Sequence, residues 1–298
     1  MALLKKAVHL IGPALFIFIF LRFIDLNILL KTFKTVSAKY LLLSLLFNTL
    51  FISGKIYRLH FLLNRSDIKV KFSYLSRIYS YSFLLGQMSN LLVADISSLG
   101  ILFMEQKNKL RISNIFIISK IADFITILSI FFICLAINYH VLNVHIDFRK
   151  VASVLLIFVF VVIVLVYLLK SRFLVFAEDL LLAIRSLILP VIIFTSAIYI
   201  FYAATALSNA TAFNVFIPLS FLLLVNTLGN LITVLPISVS GIGTRDLAFI
   251  FLMNFVNVSS EKALALSSIG YIVIPVFAIC LIYIFSLVAS KYEDCHNC

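Results

Sequence analysis

The chain has 298 residues, of which 63% are hydrophobic and 12% are charged, and its mean hydropathy is +1.19. This composition excludes a soluble globular protein and predicts an all-α bundle of transmembrane helices. The formal net charge of +12 does not indicate nucleic-acid binding, because the lysines and arginines lie in short segments between apolar runs rather than in one basic domain.

The first apolar run covers residues 7–21 and is preceded by Lys5 and Lys6. Arg22 follows it directly without a small-residue cleavage pattern, so we predict an uncleaved helix with its N-terminus in the cytoplasm. Since about 20 apolar residues cross a bilayer core, we expect about seven to eight spans in one multi-pass domain of the cytoplasmic (inner) membrane. The further spans are predicted at residues 40–54, 113–138, 151–169, 187–207, 213–235 and 263–289.

A basic segment follows the span at 40–54 and covers residues 55–77. Its cations are Lys55, Arg58, Arg65, Lys69, Lys71 and Arg77. The positive-inside bias predicts that this segment is cytoplasmic and that it attracts anionic lipid headgroups.

Two apolar segments, residues 79–104 and 236–257, contain too many polar residues for a plain span. The first carries Ser80, Ser82, Gln87, Ser89, Asn90, Asp95, Ser97 and Ser98. Irregular or charged backbone survives in a bilayer only where protein or a wet cavity surrounds it, so both segments are predicted to be broken or re-entrant helices. Asp95 has no obvious local partner and is a candidate for substrate contact.

The two interrupted segments can also be aligned with each other. Residues 90–100 match residues 230–241 with one gap, which suggests an internal repeat. In transporters, corresponding broken helices in two halves commonly mark a central binding site.

Inside the span at 113–138, Lys120 and Asp123 lie three residues apart and share a helix face. Charged residues inside a membrane span cost free energy, so such a pair indicates a structural or functional role. Either it is an ion pair that holds the bundle together, or it belongs to a wet binding or proton-coupling site with Asp95 nearby.

The second interruption contains a proline, two glycines and two charges. Its residues are Pro236, Ser238, Gly241, Gly243, Thr244, Arg245 and Asp246. If Thr244 is the N-cap of a helix over residues 247–253, the free amides at that helix end attract anions. Gly241 and Gly243 allow close backbone approach.

Arg245 can bind a phosphate bidentately, or its side chain can snorkel to the interface. Asp246 stabilises the first helical turn through the dipole, and as neighbours at i and i+1 the two side chains are not expected to face each other. The segment suits the headgroup of a phospholipid or polyprenyl phosphate.

These residues resemble a flippase-like family named for the lysylphosphatidylglycerol synthase transmembrane domain. In that family an early polar re-entrant segment, a basic residue three before an aspartate, and a late P-x-S-x-x-G-x-G-x-R-acid motif recur. Here they correspond to residues 90–100, to Lys120 and Asp123, and to Pro236 through Asp246. The family usually has glutamate at the position of Asp246 and arginine at that of Lys120.

The resemblance implies an integral membrane protein that translocates or presents a lipid or a lipid-linked, phosphate-bearing intermediate in cell-envelope or glycolipid assembly. It does not imply the synthase reaction, because aminoacyl transfer belongs to a separate soluble domain. We expect no such domain, since the chain ends at Cys298 shortly after its last span.

Two alternatives remain open. One is a non-transporting scaffold subunit that partners a glycosyltransferase or polysaccharide system. The other is a lipid-modifying enzyme that uses Asp95, Asp123, His140 and His145, although no P-loop, G-x-S-x-G, H-E-x-x-H or dinucleotide motif is present. We therefore expect no enzyme and no cofactor.

The terminal pair Cys295 and Cys298 with one histidine supplies too few ligands to predict a metal site.

Overall fold

The protein is described by a computed structural model, which covers Thr32 and residues 34–88, 91–105, 109–142, 174–234 and 243–295. Within these residues the regular structure is helical and contains no strand, so the predicted all-α fold is confirmed. The helices are α1 (Ala38–Arg65), α2 (Phe72–Met88), α3 (Leu91–Glu105), α4 (Lys109–Asn138), α5 (Leu174–Ala212), α6 (Leu219–Val234), α7 (Thr244–Asn254), α8 (Ser260–Ser268), a π-helix (Ile269–Val273) and α9 (Ile274–Cys295).

Several helices in the described part of the chain are long and apolar enough to cross a bilayer. They are Ala38–Arg65, Lys109–Asn138, Pro190–Ala212 within α5, and Ser260–Ser290, which runs from α8 into α9. With 28 residues, α1 is about 42 Å long, which exceeds the hydrocarbon thickness. The chain is therefore a multi-pass membrane protein. The spans predicted at 7–21 and 151–169 lie outside the described residues.

The predicted spans in the described residues have somewhat different limits in the structure, and two of these differences are discussed here. The span predicted at 40–54 continues as α1 to Arg65, so Lys55 and Arg58 lie on the same helix as that span. The cytoplasmic location of the basic segment stays a prediction. Arg58 is buried and Lys55 is half-buried, which is possible because both contact an acidic residue of another helix, as described below. The span predicted at 213–235 begins only at Leu219, because Asn214 has a positive φ of 54° and Pro218 disfavours helical backbone in the residue before it.

Helices α2 and α3 occupy the segment predicted at 79–104. They pack against each other, and α2 also packs against α9. Ser73, Ser76 and Ser80 are buried on one face of α2 at helical spacing. Residues 89–90 and 235–242 lie outside the described residues, so re-entry of either segment and the internal repeat stay predictions.

The apolar core has two main parts. One joins α1, α2, α4 and α9 through residues such as Ile56, Leu75 and Ile115. The other joins α5, α6, α7 and α8 through residues such as Phe221 and Met253. Helix α5 packs most extensively on α1, and α6 packs on α4 and α7. Charged side chains of α1, α4 and α7 are buried within this bundle.

Candidate functional site

The first charged cluster forms around Arg58, whose side chain is only 1% exposed. Its Nη1 donates to Asp123 Oδ1 at 3.0 Å and to Thr195 Oγ1 at 2.7 Å. Its Nη2 donates to the side-chain oxygen of Ser119 at 2.8 Å and to the backbone oxygen of the same residue at 3.1 Å. One arginine of α1 thus joins α4 and α5 through hydrogen bonds.

Lys55 completes this cluster from the same face of α1, one turn before Arg58. Its Nζ lies 3.4 Å from Asp123 Oδ2. The same ammonium lies 4.6 Å from the ring centroid of Phe51 and 5.8 Å from that of Tyr199. Both oxygens of the Asp123 carboxylate therefore face cations, and the lysine also contacts the electron-rich faces of two aromatic rings.

Lys55 and Arg58 were missed as site residues because they were assigned to a cytoplasmic segment. A signal was present in their spacing of three residues, which places both on one face if α1 is extended to Arg65.

Lys120, predicted to pair with Asp123, lies one turn before it, with its Nζ 5.3 Å from the Phe116 ring. A role for Lys120 in substrate contact stays a prediction. Asp123 lies about 21 Å along α4 from Lys109, near the middle of that helix.

The second charged cluster lies at the start of α7. The N-cap is Gly243, not Thr244 as predicted, and Thr244 is the first helical residue. Gly243 has a φ of 88°, which glycine adopts without strain. Its backbone N–H donates to Asp246 Oδ2 at 3.1 Å. Asp246 thus satisfies an unpaired amide from within the first turn, which removes the need for a threonine cap.

Arg245 and Asp246 contact each other, contrary to the expectation for helix neighbours. Arg245 Nη2 lies 3.4 Å from Asp246 Oδ1, and Ser267 Oγ donates to the same oxygen. The Cζ atom of Arg245 lies 4.3 Å from the ring centroid of Tyr271, within the range of a cation–π interaction. Because Arg245 is 2% exposed, its guanidinium does not snorkel to water.

Helix α6 holds the Tyr271 ring in place over Arg245. The Tyr271 hydroxyl donates to the backbone oxygen of Asn226. Gly229 makes this approach possible, since a Cβ there would lie 2.9 Å from the Tyr271 hydroxyl oxygen and 3.2 Å from Arg245 Cγ. Tyr271 itself belongs to the π-helix, a distortion that is frequent at functional sites.

Tyrosines and asparagines connect the two clusters. Asn230, one turn after Asn226 on α6, donates its amide to the Tyr202 hydroxyl at 2.7 Å. The Tyr202 ring lies 5.6 Å from that of Tyr199, which faces Lys55. We call this connection from Lys55 through Tyr199, Tyr202, Asn230, Asn226 and Tyr271 to Arg245 the tyrosine path.

Four further predicted site residues lie partly or wholly outside the described part of the structure. Asp95 lies in α3, and its side chain is outside the described part of the structure. Pro236, Ser238 and Gly241 lie outside the described residues altogether. Among the residues that the structure describes, no group of three His, Cys, Asp or Glu side chains could hold a metal ion.

The fold and its buried ion pairs define a multi-pass helical membrane protein with charged groups inside its spans. Residues 5–282 match the family of the lysylphosphatidylglycerol synthase TM region. Because this match covers most of the chain, the protein belongs to that family, as its motifs predicted. The family links it to lipid handling. Neither the curated proteins nor the solved structures contain a match.

Proposed function

We propose that this protein binds a lipid or lipid-linked intermediate that carries a phosphate, and that it translocates or presents this molecule in cell-envelope or glycolipid assembly. We place it in the cytoplasmic membrane with its N-terminus in the cytoplasm. The observation that carries the proposal is the tyrosine path, which connects two cationic groups, Lys55 and Arg245, inside the helical bundle.

Charged groups inside a bilayer carry a cost in free energy, which a function of those charges can offset. On insertion scales, one lysine or arginine at a helix centre costs about 2.5–3.5 kcal/mol. Apolar side chains of similar volume would hold helices together as well as a buried ion pair does. A polar ligand that crosses the apolar layer would interact with these charges and with the polar groups between them, and this role accounts for both.

Arg245 has unused capacity to bind an anion. Asp246 Oδ1 takes one N–H of its guanidinium, and the Nε atom has no hydrogen-bond partner among the described residues. The planar fork of a guanidinium matches the oxygens of a phosphate. Since Arg245 is buried in this conformation, a headgroup reaches it only after a rearrangement, as transport by alternating access requires.

The carboxylates of both clusters are paired with cations and hydrogen-bond donors, which favours a role other than catalysis. Asp123 is paired with two cations, and Asp246 accepts from Gly243, Arg245 and Ser267. A general acid or base must be able to exchange a proton with substrate, which such tight pairing opposes. We therefore propose neither a catalytic residue nor a cofactor.

Mass spectrometry of lipids that co-purify with the protein tests this proposal. We expect enrichment of one anionic or polyprenyl-linked lipid in the wild type, and loss of most of that enrichment in Arg245→Gln. Arg245→Lys keeps the charge beside Asp246 without the planar fork and should retain part of it. Arg111→Gln, a change at a residue that is 56% exposed, is the matched control and should bind as the wild type does.

Bulk-membrane lipid composition in the wild type would contradict the proposal. It would instead favour a scaffold subunit whose partner is a glycosyltransferase or polysaccharide system. Gel filtration of each variant shows whether a loss of lipid comes from the site or from misfolding, because a misfolded sample loses its monodisperse peak.

A further inference from the structure

We propose that Lys55 is a second anion-binding group, which takes a phosphate at the end of the tyrosine path opposite to Arg245. Where the phosphate belongs to a lipid, this inference rests on the proposed function and names a second residue that the headgroup contacts. A free phosphate would be recognised by the same chemistry, and the experiment below separates the two sources.

The charge of the first cluster is the first argument. Arg58 by itself neutralises Asp123 and satisfies its own Nη atoms with Ser119 and Thr195. Lys55 adds a second formal positive charge beside a single carboxylate. Asp123, Arg58 and Lys55 together carry a formal charge of +1, and the positive charge of nearby Lys120 adds to it. Such an excess is unfavourable in a membrane unless an anion balances it.

The exposure and contacts of Lys55 give the second argument. Its side chain is 19% exposed, whereas that of Arg58 is 1% exposed. An ammonium has three N–H donors, and among the described residues its ionic contact is with Asp123 alone. The faces of Phe51 and Tyr199 attract the cation, yet they do not neutralise it. The ammonium can therefore accept a further anionic partner without giving up Asp123.

The position of Lys55 gives the third argument. Tyr199 and Tyr202 stand between Lys55 and the part of α6 that holds Tyr271 over Arg245. A headgroup that leaves Arg245 along these residues meets Lys55 as the cation at the far end. Lysine suits a transient contact, because it is a mobile point charge without the fixed fork of arginine.

The test is a thermal-shift titration in dodecyl maltoside, a detergent without phosphate. The probes are phosphatidylglycerol, the phosphate-free lipid diacylglycerol, and inorganic phosphate. We expect phosphatidylglycerol, but not diacylglycerol, to raise the Tm of the wild type. Lys55→Gln should weaken the apparent affinity at least tenfold, a loss of about 1.4 kcal/mol of binding free energy. Lys55→Arg should restore most of the shift.

Lys39→Gln is the matched control, because Lys39 lies on the same helix and is exposed. It should leave the titration unchanged. The Tm without ligand serves as the folding control. We expect Lys55→Gln to keep it near the wild-type value, since Arg58 still pairs with Asp123.

The outcomes separate this inference from the proposed function. Equal lipid shifts in the wild type and in Lys55→Gln would overturn the Lys55 site and leave the proposed function standing. A lowered Tm without ligand, combined with an unchanged ligand shift, would give Lys55 a purely structural role and also overturn it. A shift by inorganic phosphate alone, lost in Lys55→Gln, would support the Lys55 site and count against the lipid function. No shift with any probe would overturn the inference.

Discussion

Replacing Asp123 with alanine should destabilise the bundle by about 3–5 kcal/mol, because breaking a buried ion pair leaves a charge without compensation. Here the loss affects two cations, since both Arg58 and Lys55 lie within 4 Å of this carboxylate. Arg58 cannot move into water, because it is buried between α1, α4 and α5. We expect a large fall in Tm in detergent and loss of the monodisperse peak in gel filtration.

A compensating variant shows whether charge is the cause. Asp123→Leu combined with Lys55→Met and Arg58→Met removes all three charges and keeps similar side-chain volumes. Such replacements of buried ion pairs are often neutral or stabilising, so this triple variant should recover most of the lost Tm. If Asp123→Ala alone keeps the wild-type Tm, the cluster does not hold the bundle together.

Replacing Asp246 with alanine should have the second largest effect, with a loss of stability of about 3 kcal/mol. The change removes the acceptor of the Gly243 amide, the partner of Arg245 and the acceptor of Ser267. Helix α7 should then fray at its start, and the guanidinium should lose its position under the Tyr271 ring. We expect a lower Tm together with weaker lipid enrichment.

Ser267→Ala is the matched comparison, because it removes one donor to the same carboxylate and leaves the charges in place. A single hydrogen bond contributes about 1 kcal/mol, so this variant should be distinctly more stable than Asp246→Ala and should keep its bound lipid. Equal losses in the two variants would mean that the Arg245 ion pair contributes nothing measurable.

The sequence predicted the fold class well, because hydropathy reports directly on a bilayer environment. It also located the helix start near residue 244, since two glycines followed by an acidic residue is a local signal. The predicted N-cap, Thr244, was wrong. Gly243 is the N-cap, and the Asp246 side chain accepts the hydrogen bond of its free amide.

The partners of the charged residues were not predictable in the same way. Asp123 was expected to pair with Lys120 on its own helix, and the charge of Lys120 does act on this carboxylate. The ion pairs of Asp123 with Arg58 and Lys55, which cross from α4 to α1, were not predicted. Sequence spacing gives neighbours within a helix, but it carries no information on which helices pack together. The contact of Tyr271 with Arg245 likewise depends on the packing of α6 and the π-helix.

A partial signal for the tyrosine path was visible on α6. Gly229 and Asn230 follow Asn226 by three and four residues, so all three lie on one face of a mostly apolar helix. Their contacts with Tyr271 and Tyr202 show that this face is the one turned toward both clusters.

The most direct test of the central claim is a translocation measurement in liposomes. Purified protein is reconstituted with a trace of a labelled form of the lipid that co-purifies with it, and the fraction accessible from outside is followed over time. We predict faster exchange between leaflets with the wild type than with Arg245→Gln or with protein-free vesicles. Equal rates in all three, with lipid still bound to the wild type, would contradict movement of a lipid headgroup along the tyrosine path.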